Sequence, residues 1–578
     1  MKGQGSVLVL GDDTRSFLAI VRSLGRGGVE VHAVPGDFAS PALASRYLSA
    51  AHRLPPYLGG GEEWCQEVAA LLRSRSFDLV VPCDERTILP FDRHRGRFAG
   101  LTRLALPDPP ALAVLFDKEK TRELATSCGV PVAPGRRITP EDRAANLIAE
   151  FGLPLVLKPA RSFRLEALHT RARVEIYEHE AGLAAALFAV GEGATLAESY
   201  FAGRGAGISI LASRGRVLQA FQHSRARERG GAGFYRVSRP LAPDLLGAVE
   251  RMTAAVAFTG VAMFEFKIAP GSGQWILLEV NARPWGSMPL AVALGVDFPL
   301  RWYRLLVAGE ETPPVAYPAG IYGRNLMPDA RQILAEARER RSSPIAMIRH
   351  LAAAGSEFGR LLVGREHLDV LVADDPRPGI SEIRREAKGA ASRLLRRLPG
   401  SRLLLGWRDR EKVKKLARRW RGGRATVVML CQGNICRSPV AAELLRRRLA
   451  GRMPGIAIVA AGMLPREGAC SPQPAIAAAE GLGVDLSKHR SLYFSERLAA
   501  EANLAVVFDQ RNRVDLLARY PGLLDRTVML GSFLDGRSGP REIADPDGGD
   551  LATFERTYAV IATAVKSLAA AIEEGQRT

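Results

Sequence analysis

In the stretch CQGNICRSP, residues 431–439, Cys431 precedes Arg437 by six positions and Ser438 follows directly. The apolar run TVVML lies before it and SPVAAELLRRRLA after it, so strand, short loop and helix are expected in that order. Such a loop gathers backbone N–H groups at the positive end of a helix, which suits an anion. It lacks the G-K-[ST] ending of a Walker loop and offers a cysteine instead. A thiolate at a helix N-terminus beside an arginine is stabilised and is nucleophilic at neutral pH. The planar fork of Arg437 matches two oxygens of a phosphate. These residue types point to attack by Cys431 on phosphorus, with Arg437 and the loop amides holding the oxygens and Ser438 donating to sulfur. The leaving oxygen needs a proton. Asp545 in IADPDGG, held extended by Pro546, is the candidate general acid and then the base for water.

A second constellation lies in FEFKIAPGSGQWILLEVNAR, residues 264–283. GSGQ reads as a hairpin turn, which puts Glu265 and Glu279 on adjacent strands, and Asn281 shares a face with Glu279. Three oxygen ligands on one face suit Mg2+, with Mn2+ as the alternative, in a site that keeps water and phosphate oxygens. Lys118 in FDKEKT and Lys158 in LVLKPA are candidates for nucleotide phosphates, and Arg283 for a phosphoryl group in transfer.

The first constellation resembles the low-molecular-weight protein tyrosine phosphatases over about residues 425–575. The likeness rests on CQGNICRSP, AAGM at 460–463, GLGVDLSKHRS, FDQRN at 508–512 and the Asp-Pro pair. It implies that Asn434 shapes the loop and that Cys436 forms a reversible disulfide with Cys431. The implied substrate is a phosphotyrosine protein or another phosphomonoester. Asp547 and Gly548 stand where aromatic residues commonly follow the Asp-Pro pair, and Ala460 where serine commonly precedes Ala-Gly. An arsenate reductase of the same fold ranks lower, because LAVVFDQRNRVDLL lacks the further cysteines its relay needs.

The second constellation resembles the ATP-grasp carboxylate–amine or thiol ligases over about residues 1–310. That resemblance implies that Glu198 in AESYF binds adenine and ribose. ATP would phosphorylate a substrate carboxylate, and an amine or thiol would then displace phosphate. His223, Arg225 and Arg227 would line the acceptor side. KPARSFRLEALHT has no glycine where the family carries a glycine-rich flap, so Arg161 and Arg164 are expected to stand in. The alternative is a nucleotide-binding module of weak turnover that regulates or positions the phosphatase.

Positioning these residues takes several domains, as a chain of 578 residues requires. The expected class is multidomain α/β. A leading parallel α/β domain (1–110) precedes a two-lobed α+β ATP-grasp domain (111–310). A helical basic linker (311–424) then leads to a doubly wound parallel-sheet phosphatase domain (425–578). SVLVLGDD and DLVVPCDERT are strands ending in acidic loops, which places Asp12 and Asp84 at the carboxyl ends of a parallel sheet. No G-x-G-x-x-G follows the first strand, which argues against a dinucleotide.

Six scattered cysteines make no disulfide or zinc pattern and favour a reducing, cytoplasmic compartment. Cys83, Cys128, Trp285 and Trp302 read as packing residues. No apolar run is long enough for a signal peptide or a membrane span. The net charge of +19 is concentrated: residues 381–424 hold 16 Lys+Arg against 4 Asp+Glu. That segment is suited to nonspecific contact with an anionic membrane or nucleic acid. The favoured reading is a solvated linker helix whose Leu/Val/Trp stripe packs on a neighbouring domain.

Overall fold

The computed structural model describes residues 5–577 except 12, 39, 56, 58–59, 169–170, 190–193, 230–231, 341–342, 396–400, 421–422, 465–466 and 535–541. It divides into two compact units, Met1–Glu386 and Ala387–Thr578.

The N-terminal unit begins with a parallel sheet of β1 (Ser6–Leu10), β2 (Glu30–Val34), β3 (Ala50–Ala51), β4 (Leu79–Pro82) and β5 (Arg103–Leu104), in the order β3-β2-β1-β4-β5. Both faces are covered, which is why the strands read as unbroken apolar runs. Val7 and Val9 of β1 pack into one core cluster and Leu8 and Leu10 into another. At the end of β4, the Asp84 carboxylate caps the helix Glu85–Arg93, accepting from the Thr87 N–H at 3.1 Å. It also pairs with Arg86, so its observed role is structural. Asp12 lies outside the described residues.

A four-stranded antiparallel sheet follows, built from β6 (Gly135–Arg137), β7 (Leu155–Pro159), β8 (Glu175–Tyr177) and β9 (Thr195–Ser199), in the order β6-β9-β7-β8. The larger third sheet contains β10 (Arg204–Ser213), β11 (Arg216–Arg229), β12 (Ala232–Arg239), β13 (Gly260–Ile268), β14 (Trp275–Asn281), β15 (Tyr322–Arg324) and β16 (Glu366–Leu368). Its order is β14-β13-β10-β11-β12-β15-β16. The β13–β14 hairpin turns through Gly271 and Gly273, both at positive φ, as GSGQ predicts.

Two stretches differ from the sequence expectation. QHSRARER runs as strand in β11, with β12 paired to it. The stretch from 311 onward, expected as linker, supplies β15 and β16 to the sheet. The physical reason is Arg324, which is fully buried between Asp329 and Glu366. A buried guanidinium requires carboxylates at fixed positions, and these come from the stretch itself. Arg22 likewise reaches Asp375 at 2.9 Å.

The C-terminal unit is a parallel sheet of β17 (Ala425–Cys431), β18 (Ile456–Gly462), β19 (Ala502–Val507) and β20 (Thr527–Met529), in the order β18-β17-β19-β20. Within the basic segment, the helix Ser401–Arg418 packs on the helix Leu551–Arg577. Val413, Ala417 and Trp420 join the same core as β17. The helices meet at Gly575, where a Cβ would lie 2.6 Å from the Lys414 carbonyl oxygen. Among the described residues, no helix is long and apolar enough to cross a membrane.

Candidate active sites

Cys431 ends β17, in register with Gly462 of β18, and the helix Arg437–Leu449 begins six residues later. Its Sγ lies 3.0 Å from Ser438 Oγ and accepts from the Asn434 backbone N–H at 3.3 Å. Asn434 holds the turn at φ 53°, a region open to asparagine because its amide bonds locally. Its Nδ2 donates to Ser438 Oγ at 2.8 Å, so the Ser438 hydroxyl hydrogen is shared between the Cys431 sulfur at 3.0 Å and the Ala461 carbonyl at 3.3 Å. Its Oδ1 accepts from the Leu492 N–H at 2.7 Å. His489 Nε2 donates to the Asn434 carbonyl at 2.7 Å, and burial pushes this imidazole below its ordinary pKa.

Arg437 is 1 % exposed. Its Nη1 donates to Asp509 Oδ2 at 2.6 Å and to the Ile543 carbonyl at 2.8 Å, and its Nη2 donates to Asp545 Oδ2 at 2.5 Å. Its buried Nε has no partner among the described residues. An oxyanion beside the loop would satisfy that donor. The loop, Arg437 and Asp545 are thus brought to one place. Cys431 and Cys436 are both free thiols. Burial pushes the Cys436 thiol up, Asp547 and Asp545 add to this, and the thiol donates to Asp547 Oδ1 at 3.7 Å.

Sequence reasoning missed Asp509, His489, Gly462 and Tyr558. Asp509 both caps the helix Gln510–Arg519 and holds Arg437. Tyr558 Oη donates to the Cys436 carbonyl at 2.9 Å. The signal for Gly462 lay in the AAGM loop: a Cβ there would fall 2.9 Å from the Asn434 backbone nitrogen. Gly462→Ala is expected to displace the loop, costing about 1–3 kcal/mol in thermal or denaturant unfolding. It should lower kcat on p-nitrophenyl phosphate by more than it raises KM. Unchanged kinetics would show that the loop tolerates the shift.

In the N-terminal unit, Glu265 and Glu279 sit directly opposite each other on β13 and β14. Opposed carboxylates repel and need a compensating group. Asn281 Nδ2 donates to both, at 3.2 and 3.3 Å, and Arg225 pairs with Glu265. Burial raises the Glu265 pKa, with Arg225 opposing and Glu279 reinforcing the shift. At Glu279 burial acts the same way, but Lys118, Arg283 and the Asn281 amide outweigh it and hold the carboxyl below its ordinary value.

Five candidates, Lys118, Glu198, Glu279, Asn281 and Arg283, line one cleft. Lys158 Nζ adjoins it, 2.5 Å from Glu198 Oε2, and Arg122 approaches the same carboxylate at 3.4 Å. Lys118 Nζ donates to Ser162 Oγ at 3.1 Å, and Arg283 pairs with Glu85 at 3.2 Å. No group of three His, Cys, Asp or Glu side chains placed to hold a metal ion occurs among the described residues. A cation between the two glutamates and Asn281 would therefore keep water or phosphate oxygens. The donor set fits a nucleotide with a hard divalent cation.

The acceptor-side residues do not act as one group. Arg227 is tied to Asp329 and Glu357, at 2.6 and 2.7 Å. Arg225 lies in a trough floored by Gly205 and Gly233, where a Cβ would come within 2.7 and 3.0 Å of it. Arg161 and Arg164 line a second, broader cleft, and Arg161 sits 3.3 Å from Asp117.

His223 is buried over Gly207, with no partner for its Nδ1, and burial pushes its pKa down to about 3. The unfolded chain, with an ordinary value of 6.5, binds more protons than the folded one between those limits. Stability should therefore fall as pH drops from 6.5 toward 3. His223→Phe, which loses no Nδ1 hydrogen bond, should flatten the dependence of the unfolding midpoint on pH in that window. An unchanged slope would assign the acid sensitivity to other groups.

A parallel sheet ending in a cysteine-bearing anion loop, with a buried arginine and an adjacent aspartate, defines the C-terminal unit as a phosphatase-type α/β domain. The model of the family described as low molecular weight phosphotyrosine protein phosphatase matches residues 426–578. The probable low molecular weight protein-tyrosine-phosphatase EpsP of Ralstonia nicotianae is 31 % identical over 136 residues, covering 24 % of this chain and 88 % of that protein. The chain belongs to this family through its C-terminal unit. A protein-arginine-phosphatase of Geobacillus stearothermophilus is 27 % identical over 150 residues, covering 26 % of the chain and 97 % of that protein.

Solved structures similar to the N-terminal unit include N5-carboxyaminoimidazole synthetase from Staphylococcus aureus complexed with ADP. Its TM-score is 0.47 at 15 % identity, covering 59 % of this chain and 87 % of that one. The biotin carboxylase of Campylobacter jejuni gives a TM-score of 0.44 at 17 % identity, covering 55 % and 74 %.

Proposed function

We propose that the C-terminal unit hydrolyses a phosphomonoester through a phosphocysteine. The observation that carries this reading is the Cys431 thiol, hydrogen-bonded by Ser438 and the Asn434 amide beside the fully buried Arg437. Cys431 Sγ bonds to phosphorus as the bond to the leaving oxygen breaks, and Asp545 gives that oxygen its proton. Asp545 then takes a proton from water, whose oxygen bonds to phosphorus and expels the thiolate. Arg437 and the loop amides hold the phosphate oxygens throughout.

Asp545→Asn is expected to reduce kcat on p-nitrophenyl phosphate by roughly 10²–10⁴. A variant with full activity would remove Asp545 from the mechanism. Phosphotyrosine in proteins is the first substrate reading. Phosphoarginine, in which the bond broken is P–N and Asp545 would protonate the leaving guanidino nitrogen, is the second, supported by the likeness to the Geobacillus enzyme and by the exposed, acidic Asp547 where an aromatic residue is common. Parallel assays on phosphotyrosine and phosphoarginine peptides decide between them.

For the N-terminal unit the proposed activity is ATP- and Mg2+-dependent ligation of a carboxylate to an amine or thiol. Glu265, Glu279 and Asn281 would hold the cation, with Mn2+ as its alternative. Lys118, Lys158 and Arg283 would hold the phosphates, and Glu198 the nucleoside. Bound there, ATP with its cation supplies the phosphoryl group that activates the carboxylate. The cleft shared by five of these residues supports this reading. ADP release that rises only when a carboxylic acid and an amine or thiol are supplied together tests it. Nucleotide binding without such turnover favours a module that regulates the phosphatase. Six free cysteines accord with a cytoplasmic setting.

A further inference from the structure

The helix Pro344–Glu357 is held to the N-terminal unit along a narrow flank, with Ala354 its one buried residue. Its outer side is aliphatic. Ile345 is 67 % exposed, Ile348 63 % and Leu351 40 %, at the spacing of a single helical stripe. Just beyond the helix, Leu362 is 90 % exposed and Val363 70 %. Five large aliphatic side chains left in water within one short stretch of chain are unfavourable and mark a contact surface.

The exposed charges around it are mostly basic, with Glu339 of the preceding helix the one exposed carboxylate beside Arg338, Arg340, Arg349 and Arg365. From Ser343 to Arg365 the exposed charged side chains are Arg349 and Arg365. The one carboxylate in that stretch, Glu357, is half-buried and already bound by Arg227 and Arg324. A second copy of this chain would set these arginines against each other, in a protein whose net charge is +19. Single-stranded nucleic acid favours aromatic platforms, and the stripe is purely aliphatic. A layer that is apolar within and negative at its surface satisfies both features.

We propose that the N-terminal unit docks on anionic lipid bilayers through Ile345, Ile348, Leu351, Leu362 and Val363, with Arg349 and Arg365 meeting the headgroup phosphates. Such a stripe enters the interface without spanning it, to a depth of about 5–10 Å. The contact is independent of both catalytic readings and separate from the basic residues 381–424.

The test is sedimentation of the full chain with vesicles of phosphatidylcholine alone and of phosphatidylcholine mixed with phosphatidylglycerol. Pelleting with the mixed vesicles only is expected. Ile348→Asp and Leu362→Asp change exposed side chains, and each should cut the partition coefficient about tenfold or more, as loss of a buried aliphatic side chain implies. Unfolding midpoints of both variants, read by calorimetry, should equal those of the unchanged protein, as evidence that the N-terminal unit stays folded. Pelleting that survives both substitutions would assign the binding to another segment and overturn the proposal. So would an absence of pelleting. A dimer in light scattering that Ile348→Asp converts to monomer, without vesicle binding, would identify a second copy as the occupant and equally overturn it.

Discussion

Cys431→Ser is expected to lower hydrolysis of p-nitrophenyl phosphate by roughly four to six orders of magnitude, the scale of removing a nucleophile from a cooperating set. The serine oxygen would sit where Sγ now accepts from the Asn434 N–H and faces Ser438 Oγ. An alcohol in that place remains protonated, because the nearby carboxylates Asp509 and Asp545 are engaged by Arg437 and offer no base aimed at it. The anion cradle loses nothing: the loop amides, Arg437 and the Asn434 bonds to Leu492 and Ser438 are untouched. Affinity for inorganic phosphate, measured by calorimetry, should therefore change by no more than a few-fold while turnover vanishes. Hydrolysis that persists would place the nucleophile elsewhere. Loss of phosphate binding along with turnover would show that the sulfur helps shape the loop.

Glu279→Gln should weaken the N-terminal unit without ligand and abolish its response to ligand. Glu279 faces Glu265 across the hairpin, and a neutral amide there removes the repulsion of two opposed carboxylates. Ligand-free stability of the N-terminal unit should nevertheless fall, by about 1 kcal/mol or more, because Lys118, Arg283 and the Asn281 amide favour the ionised carboxylate by more than Glu265 opposes it. The proposed cation would lose a carboxylate ligand, and its affinity should fall by at least about a hundredfold. The upward shift in unfolding temperature that Mg2+ with ADP gives the unchanged protein should then disappear. A retained shift would remove Glu279 from the cation site. A rise in ligand-free stability would mean that repulsion from Glu265 outweighs the counter-charges Lys118 and Arg283.

The parts of both sites that were readable from sequence are local. CQGNICRSP carries its own strand end, turn and helix start, and the GSGQ hairpin sets Glu265 opposite Glu279 without help from distant chain. What escaped arrives from afar. Asp509 lies 72 residues beyond Arg437, and Tyr558 lies 122 beyond the carbonyl it bonds. Their types alone do not distinguish them from ordinary caps and core residues. Asp84 shows the converse, an acidic residue at a strand end whose work is to cap a helix. The three-residue strands β15 and β16 are too short for periodicity to reveal, and their place in the sheet depends on the buried Arg324. Arg225 reaches Glu265 because glycines on two neighbouring strands leave it a path, which only the register makes visible.

The ion pair between Arg437 and Asp545 acts as an interlock. While the cradle is empty, the guanidinium fastens the acid in place. An arriving phosphate competes for the same Nη2 and also offers an oxygen to the unsatisfied Nε. In the proposed mechanism cargo would unlatch Asp545 for its proton transfer, and free inorganic phosphate would turn the same key without doing work. Product accumulating in solution would hold the latch open and the seat filled, so the rate of the C-terminal unit should follow the local phosphate level as well as its supply of substrate.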